Sequence, residues 1–203
     1  MKIICIGRNY GRHALELGNA IPSEPVVFIK PSTALTVDNK PLFLPDFSSN
    51  VHYEIELVLK VCKHGKAIEQ RFAHRYYDAI GLGIDFTARD LQDELKSAGL
   101  PWEKAKSFDG SAAVGQFVPV DALPNPEAIK FTLQRNGEVV QTGDSADMLF
   151  SFDSIIAHVS TYFKLMKGDL IFTGTPAGVG RVERNDHLVG ELEGRVILDM
   201  RVK

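Results

Sequence analysis

The run Val51-His52-Tyr53-Glu54-Ile55-Glu56-Leu57-Val58-Leu59 constrains this chain more than any other part of it. Over its first residues polar and apolar side chains alternate with a period of two, the pattern of a β-strand and not of a helix. The alternation puts His52, Glu54 and Glu56 on one face and Tyr53, Ile55, Leu57 and Leu59 on the other. Two carboxylates side by side on one face repel each other. Either that face looks into water, or something compensates the charge.

Most of the remaining sequence also reads as short strands. Residues 2–6 form a strand that stops at Gly7, and 25–31 form an apolar strand bounded by prolines. Pro41 and Pro45 punctuate the next stretch, which suits strand edges in an irregular, mostly antiparallel β protein. Residues 79–85 are a further strand, 129–142 a hairpin turning at Asn136-Gly137, 169–173 a strand, and about 188–202 a last β pair. Helical spacing is confined to three places. Residues 10–17 could form two turns ending at Gly18. Thr87-Ala88-Arg89-Asp90 looks like a capping box opening a helix to about residue 98, stopped by Gly99 and Pro101. Ile155, Ile156, Val159 and Phe163 mark a helix over 152–165. No repeat, charge block or linker divides the 203 residues, so the expected architecture is one β-rich α+β domain over 1–203.

Charge narrows the partners. Lys and Arg total 23 against 26 Asp and Glu, a formal net charge of −3, which leaves no electrostatic footprint for nucleic acid or an anionic membrane. No stretch approaches the roughly 18 apolar residues of a membrane-spanning helix. The apolar start ends at Gly7 and Arg8, too short for a signal peptide, so a soluble cytoplasmic protein is expected. Cys5 and Cys62 sit among apolar residues without metal-type spacing and are expected as buried, reduced thiols.

The chemistry gathers around carboxylates. Asp85 ends the apolar run Ala79-Ile80-Gly81-Leu82-Gly83-Ile84, next to the Thr87 helix. If it met Glu54 and Glu56 near a core, the three could not all stay ionised without a cation, and a hard oxygen-seeking ion such as Mg²⁺ would serve. Spacing alone leaves that meeting open. His13 and Glu16 stand at i, i+3, neighbours on a helix: a carboxylate-oriented general base, or two ordinary surface residues. Lys104 and Lys106 follow the helix. The Gly-rich stretch from Phe172 to Gly180 lacks the GK[ST] ending of a phosphate loop, but its threonines and backbone N–H groups could meet a carboxylate. No GxSxG occurs, and neither cysteine has an activating neighbour, which disfavours a serine or cysteine hydrolase.

At these residues the chain resembles the fumarylacetoacetate hydrolase superfamily, in particular its short single-domain acylpyruvase and oxaloacetate decarboxylase-like branch. The matching stretches are CIGRNYGRHALELG, EPVVFIKPSTAL, VHYEIELVL, GLGIDFTARDLQDELKSAGLPWEKAKSFDGSAAVG, NGEVVQTGDSADMLFS and GDLIFTGTPAGVG, spread over nearly the whole chain. The resemblance implies a mixed β-roll, usually a homodimer, with Glu54, Glu56 and Asp85 binding Mg²⁺ or Mn²⁺. It places the family's catalytic His–Glu pair on His13 and Glu16, within a lid over about 11–20, and its conserved lysine on Lys106. Lys104 has no assigned role. Arg89, Gln92 and Thr175 fall on substrate-contacting positions. No counterpart is seen of the extra N-terminal domain and further metal carboxylate of the larger members, which argues against fumarylacetoacetate as substrate.

The activity so implied is Mg²⁺-dependent hydrolysis of the C–C bond of acylpyruvates, giving pyruvate and a carboxylic acid. Water activated by His13–Glu16 would attack, and Lys106 would stabilise the oxyanion. The same site could decarboxylate oxaloacetate or isomerise a 2-oxo acid, since each needs the same enolate. A catalytically silent metal binder should lack the base or the lysine, and both are present.

Overall fold

The computed structural model describes residues 1–11 and 21–203. In chain order its strands are β1 (Ile3–Gly7), β2 (Val26–Lys30), β3 (Leu35–Thr36), β4 (Val51–Tyr53), β5 (Ile55–Val61), β6 (Tyr77–Asp85) and β7 (Thr87–Ala88). Helices α1 (Arg89–Ser97) and α2 (Glu103–Lys106) follow, then β8 (Ala112–Pro119), β9 (Lys130–Arg135) and β10 (Glu138–Asp144). Helix α3 (Phe152–Tyr162) precedes β11 (Leu170–Phe172), β12 (Gly180–Arg181), β13 (His187–Leu192) and β14 (Arg195–Arg201). A seven-stranded sheet runs β2-β1-β11-β5-β6-β8-β3, beside a four-stranded sheet β10-β9-β13-β14 and a three-stranded one β12-β4-β7. Pairing is antiparallel except β1 with β11 and β3 with β8. This is the mixed, β-rich α+β architecture with few short helices expected from the sequence.

The large sheet is covered on both faces. One face sends Ile4, Ile6, Leu57, Leu59, Leu82 and Ile171 into the main core, against Ile155, Ile156 and Val159 of α3 and Phe131, Leu133 and Leu198 of the smaller sheet. The other buries Ile3, Cys5, Val58, Leu170 and Phe172. A strand buried on both sides needs apolar residues on both, which explains why β5 and β6 lose their alternation after the first residues. On β6, Gly83 makes room for its neighbours: a Cβ there would lie 2.6 Å from the Phe172 ring and 2.8 Å from Val58.

The β9–β10 hairpin turns at Asn136 (φ 55°) and Gly137 (φ 88°), the two left-handed residues that a type I′ turn requires. Helix α1 stops as its sequence indicates, with Gly99 at φ 65°. Helix α3 ends at Tyr162, three residues short of the expected 165, and the Ser151 side chain caps its start.

Other expectations need correction. The single strand expected from the Glu-x-Glu alternation breaks at Glu54, where the chain leaves the three-stranded sheet and enters the seven-stranded one. Thr87 does not cap α1. It lies in the short strand β7, and its hydroxyl is taken by Lys106, leaving Ala88 at the N-cap without a side-chain hydrogen bond. Cys5 is buried and Cys62 only partly so; both are free thiols.

Candidate functional site

The break at Glu54 and the register of β5 on β6 build the site. Ile55 pairs with Ile84 and Glu56 with Gly83, and the Asp85 N–H donates to the Glu54 carbonyl at 2.9 Å. Residues opposite each other on neighbouring strands point to the same side. Asp85 therefore joins Glu54 and Glu56 on one face, and one carboxylate oxygen from each lies within 4.8 Å of the other two. All three are buried, exposed by 4% or less.

Three cations hold this concentration of negative charge. Lys106 Nζ donates to Glu54 Oε2 and Asp85 Oδ2 at 2.7 Å each, and to Thr87 Oγ1 at 2.6 Å. Arg89, on the first turn of α1, donates to Glu54 Oε1 and to Gln92 Oε1. Lys30 is fully buried, with Nζ 2.8 Å from Asp85 Oδ1 and hydrogen-bonded to the Ser111 carbonyl and hydroxyl at 3.0 Å and to the Lys106 carbonyl. Burial by itself would lower the Lys106 pKa, but Asp85 and Glu54 outweigh it and hold the ammonium above its ordinary value. Lys106 is thus a charged donor and not a base.

Glu56 is the least compensated of the three. It accepts the Gly174 N–H at 2.7 Å, and no cation pairs directly with it among the described residues. Burial, then the charges of Asp85 and Glu54, push its pKa well above the ordinary carboxylate value. Three hard oxygen donors this close and this deeply buried, with no cation paired directly with Glu56 among the described residues, fit a divalent cation such as Mg²⁺ or Mn²⁺.

A cleft opens onto the triad, and Arg89, Gln92, Lys106 and Thr175 line it with Glu54, Glu56 and Asp85. The structure thus brings together every site residue expected from the sequence that lies among the described residues. His13, Glu16 and, apart from Gly11, the expected lid over 11–20 lie outside them. Lys104 is exposed. His52 shares the strand alternation with the two glutamates, but its ring turns elsewhere, with Nε2 3.0 Å from Asn50 Oδ1 and Nδ1 3.5 Å from Arg89 Nε. Burial and then Arg89 lower its pKa, so the neutral ring supports the arginine.

Sequence reading missed other participants. Arg8 and Lys96 line the cleft and add to its positive charge. Asn9, fully buried, ties the Gly-rich turn in place: its Nδ2 donates to the Thr173 carbonyl at 2.7 Å, and its Oδ1 accepts from Phe150 N–H at 2.8 Å. Gly174 takes φ 103°, and a Cβ there would lie 2.7 Å from the Asn9 Cβ. The one available signal for Lys30 was a charge closing an apolar strand between two prolines.

Known proteins resemble this chain over almost its whole length. The profile of the fumarylacetoacetate hydrolase C-terminal domain matches residues 2–203. Bovine oxaloacetate tautomerase FAHD1, mitochondrial, is 44% identical over 201 residues, covering 99% of this chain and 90% of that protein. Oxaloacetate tautomerase YcgM of Escherichia coli K12 is 39% identical over 194 residues, covering 95% and 89%. Among solved structures, fumarylpyruvate hydrolase from Pseudomonas aeruginosa in complex with Mn²⁺ and pyruvate superposes with a TM-score of 0.94 at 37% identity, covering 100% of this chain and 89% of that one. Among the described residues no helix is long and apolar enough to cross a membrane.

Proposed function

The chain belongs to the fumarylacetoacetate hydrolase family, and from that premise we propose that it catalyses the keto–enol tautomerisation of oxaloacetate, with a divalent cation held by Glu54, Glu56 and Asp85. The observation that carries this reading is the Lys106 ammonium, hydrogen-bonded to Glu54 and Asp85 among three buried carboxylates in one cleft. The names of relatives 44% and 39% identical over almost the whole chain point to the same substrate. When bound, Mg²⁺ or Mn²⁺ supplies Lewis acidity that favours the enolate of a 2-oxo acid. Arg89, Gln92 and Thr175 orient the substrate carboxylates. His13, oriented by Glu16, takes the proton from C3. Lys106 opposes the negative charge that develops, and the C2 oxygen receives a proton. One proton moves, no water is consumed and no carbon–carbon bond breaks.

A second reading is hydrolysis of an acylpyruvate, supported by the Mn²⁺ and pyruvate complex of the fumarylpyruvate hydrolase neighbour. It uses the same residues but needs His13–Glu16 to activate a water that attacks C4, with pyruvate and a carboxylic acid as products. Decarboxylation of oxaloacetate would instead release C4 as CO₂. We read the chain 1–203 as a single catalytic domain acting as a homodimer, a state that light scattering checks directly.

The deciding experiment gives the Mg²⁺-loaded protein oxaloacetate, acetylpyruvate and fumarylpyruvate in turn. Enol absorbance follows tautomerisation, and NMR identifies the products. The expected result is rapid keto–enol exchange of oxaloacetate with little pyruvate from any substrate. A kcat/KM for acylpyruvate cleavage exceeding that for oxaloacetate exchange would replace the first reading by the second.

A further inference from the structure

Gln141 lies beside the cleft without lining it, 2% exposed, and the chemistry above gives it no task. It sits on β10 where the pairing with β9 slips between Val139 and Gln141. The turn carrying Thr175 packs tightly against this bulge, since a Cβ on Gly178 would lie 2.5 Å from the Val140 carbonyl.

The Gln141 amide has three partners. Its Oε1 accepts the Ile55 N–H at 2.9 Å, between the two glutamates of the triad. Its Nε2 donates to the Pro176 carbonyl and to Thr175 Oγ1, both at 2.9 Å. A backbone N–H can only donate and a carbonyl can only accept, so these two partners fix which end of the amide is oxygen. Thr175 Oγ1 must then accept from Gln141. Its own proton finds no acceptor among the described residues, and the residue lines the cleft.

We propose that Gln141 is a positioning residue that sets the Thr175 hydroxyl as a hydrogen-bond donor into the cleft, so that the site selects a ligand presenting a carboxylate oxygen there. The inference rests on the reading that Thr175 meets a substrate carboxylate. Anchored to Ile55 at one end and to the Thr175 turn at the other, the same side chain keeps this donor in register with the strand that bears Glu54 and Glu56.

The test is a double-mutant cycle on oxalate binding, by titration calorimetry at saturating Mg²⁺, with Mn²⁺ affinity measured alongside. Thr175→Val should weaken oxalate by roughly 10- to 100-fold, the range for one hydrogen bond to a charged group. Gln141→Met should weaken it by about three- to thirtyfold in the wild-type background and by less than about twofold in Thr175→Val. Gln141→Glu keeps the acceptor for Ile55 and adds a charge that acts in both backgrounds, so the ratio of its two effects gives the same coupling if the Met variant folds poorly. A merely structural Gln141 would lower Mn²⁺ and oxalate affinity together, by the same factor in both backgrounds, and that result overturns the proposal. Oxalate binding to Thr175→Val as tight as to wild type removes the reading of Thr175 itself, and the proposal with it.

Discussion

Replacing Glu56 by Gln should stabilise the metal-free protein and destabilise the metal-loaded one relative to wild type. Glutamine keeps the shape and an oxygen for the Gly174 N–H, now at 2.7 Å from Glu56, and removes one buried negative charge. The triad oxygens lie within 4.8 Å of one another, and two unit charges at that separation repel by about 3.5 kcal/mol at an effective dielectric of about 20. Lys106 offsets part of this, since its charge acts on Glu56 in the opposite sense. A net gain of about 1–3 kcal/mol in EDTA is expected, a rise of roughly 2–10 °C in Tm for a chain this size. The sign with pH follows from the raised folded pKa. The protonated carboxyl is tolerated at low pH, and wild-type stability is lost as pH rises from the ordinary carboxylate value through the folded one. The advantage of the Glu56→Gln variant should therefore grow from pH 5 to pH 8. Mg²⁺ at a thousand times its Kd reverses the order, because it adds about 4.1 kcal/mol to wild type and far less to the variant. Scanning calorimetry of both proteins, with EDTA and with Mg²⁺ at three pH values, checks all of this. A Tm for Glu56→Gln in EDTA below that of wild type at pH 8 would refute the reasoning, because Glu56 would then be a compensated structural charge.

Lys30→Met strips Asp85 Oδ1 of its ion-pair partner and leaves the Ser111 and Lys106 carbonyls short of a donor, so it should cost about 3–5 kcal/mol in urea denaturation; a loss under about 1 kcal/mol would contradict the role given to this lysine. Gly174→Ala forces a side chain into a left-handed backbone against Asn9 and disturbs the N–H that Glu56 accepts. Its Mn²⁺ affinity, read by electron paramagnetic resonance, should fall at least about tenfold, and wild-type affinity would show that the turn does not hold the triad. Asp85→Ala should lose measurable Mg²⁺ binding and all metal-dependent turnover while still unfolding cooperatively, which calorimetry and circular dichroism would establish together.

Local pattern was enough for some of this protein. The Glu-x-Glu alternation placed Glu54 and Glu56 on one face, Asn136-Gly137 marked the hairpin, and Gly99 with Pro101 marked the end of α1, because each depends on the geometry of a few adjacent residues. The meeting of Asp85 with the glutamates was decided by the β5–β6 register, which joins residues some thirty apart and follows from how both strands are buried. Thr87 shows the limit of local rules. Its sequence context is that of a helix cap, but the buried ammonium of Lys106 takes its oxygen, because a desolvated charge left without a partner costs more than a helix start left uncapped. Lys30, Asn9 and Gln141 were hidden for the same reason. A polar side chain tolerates full burial only where distant backbone groups complete its hydrogen bonds, and those partners come from β5, the Gly-rich turn and the segment after α2. Sequence periodicity determined which residues could face one another. The packing of the two-sided sheet decided which of them share a site, because only there does removal from water make each unpaired charge demand a partner.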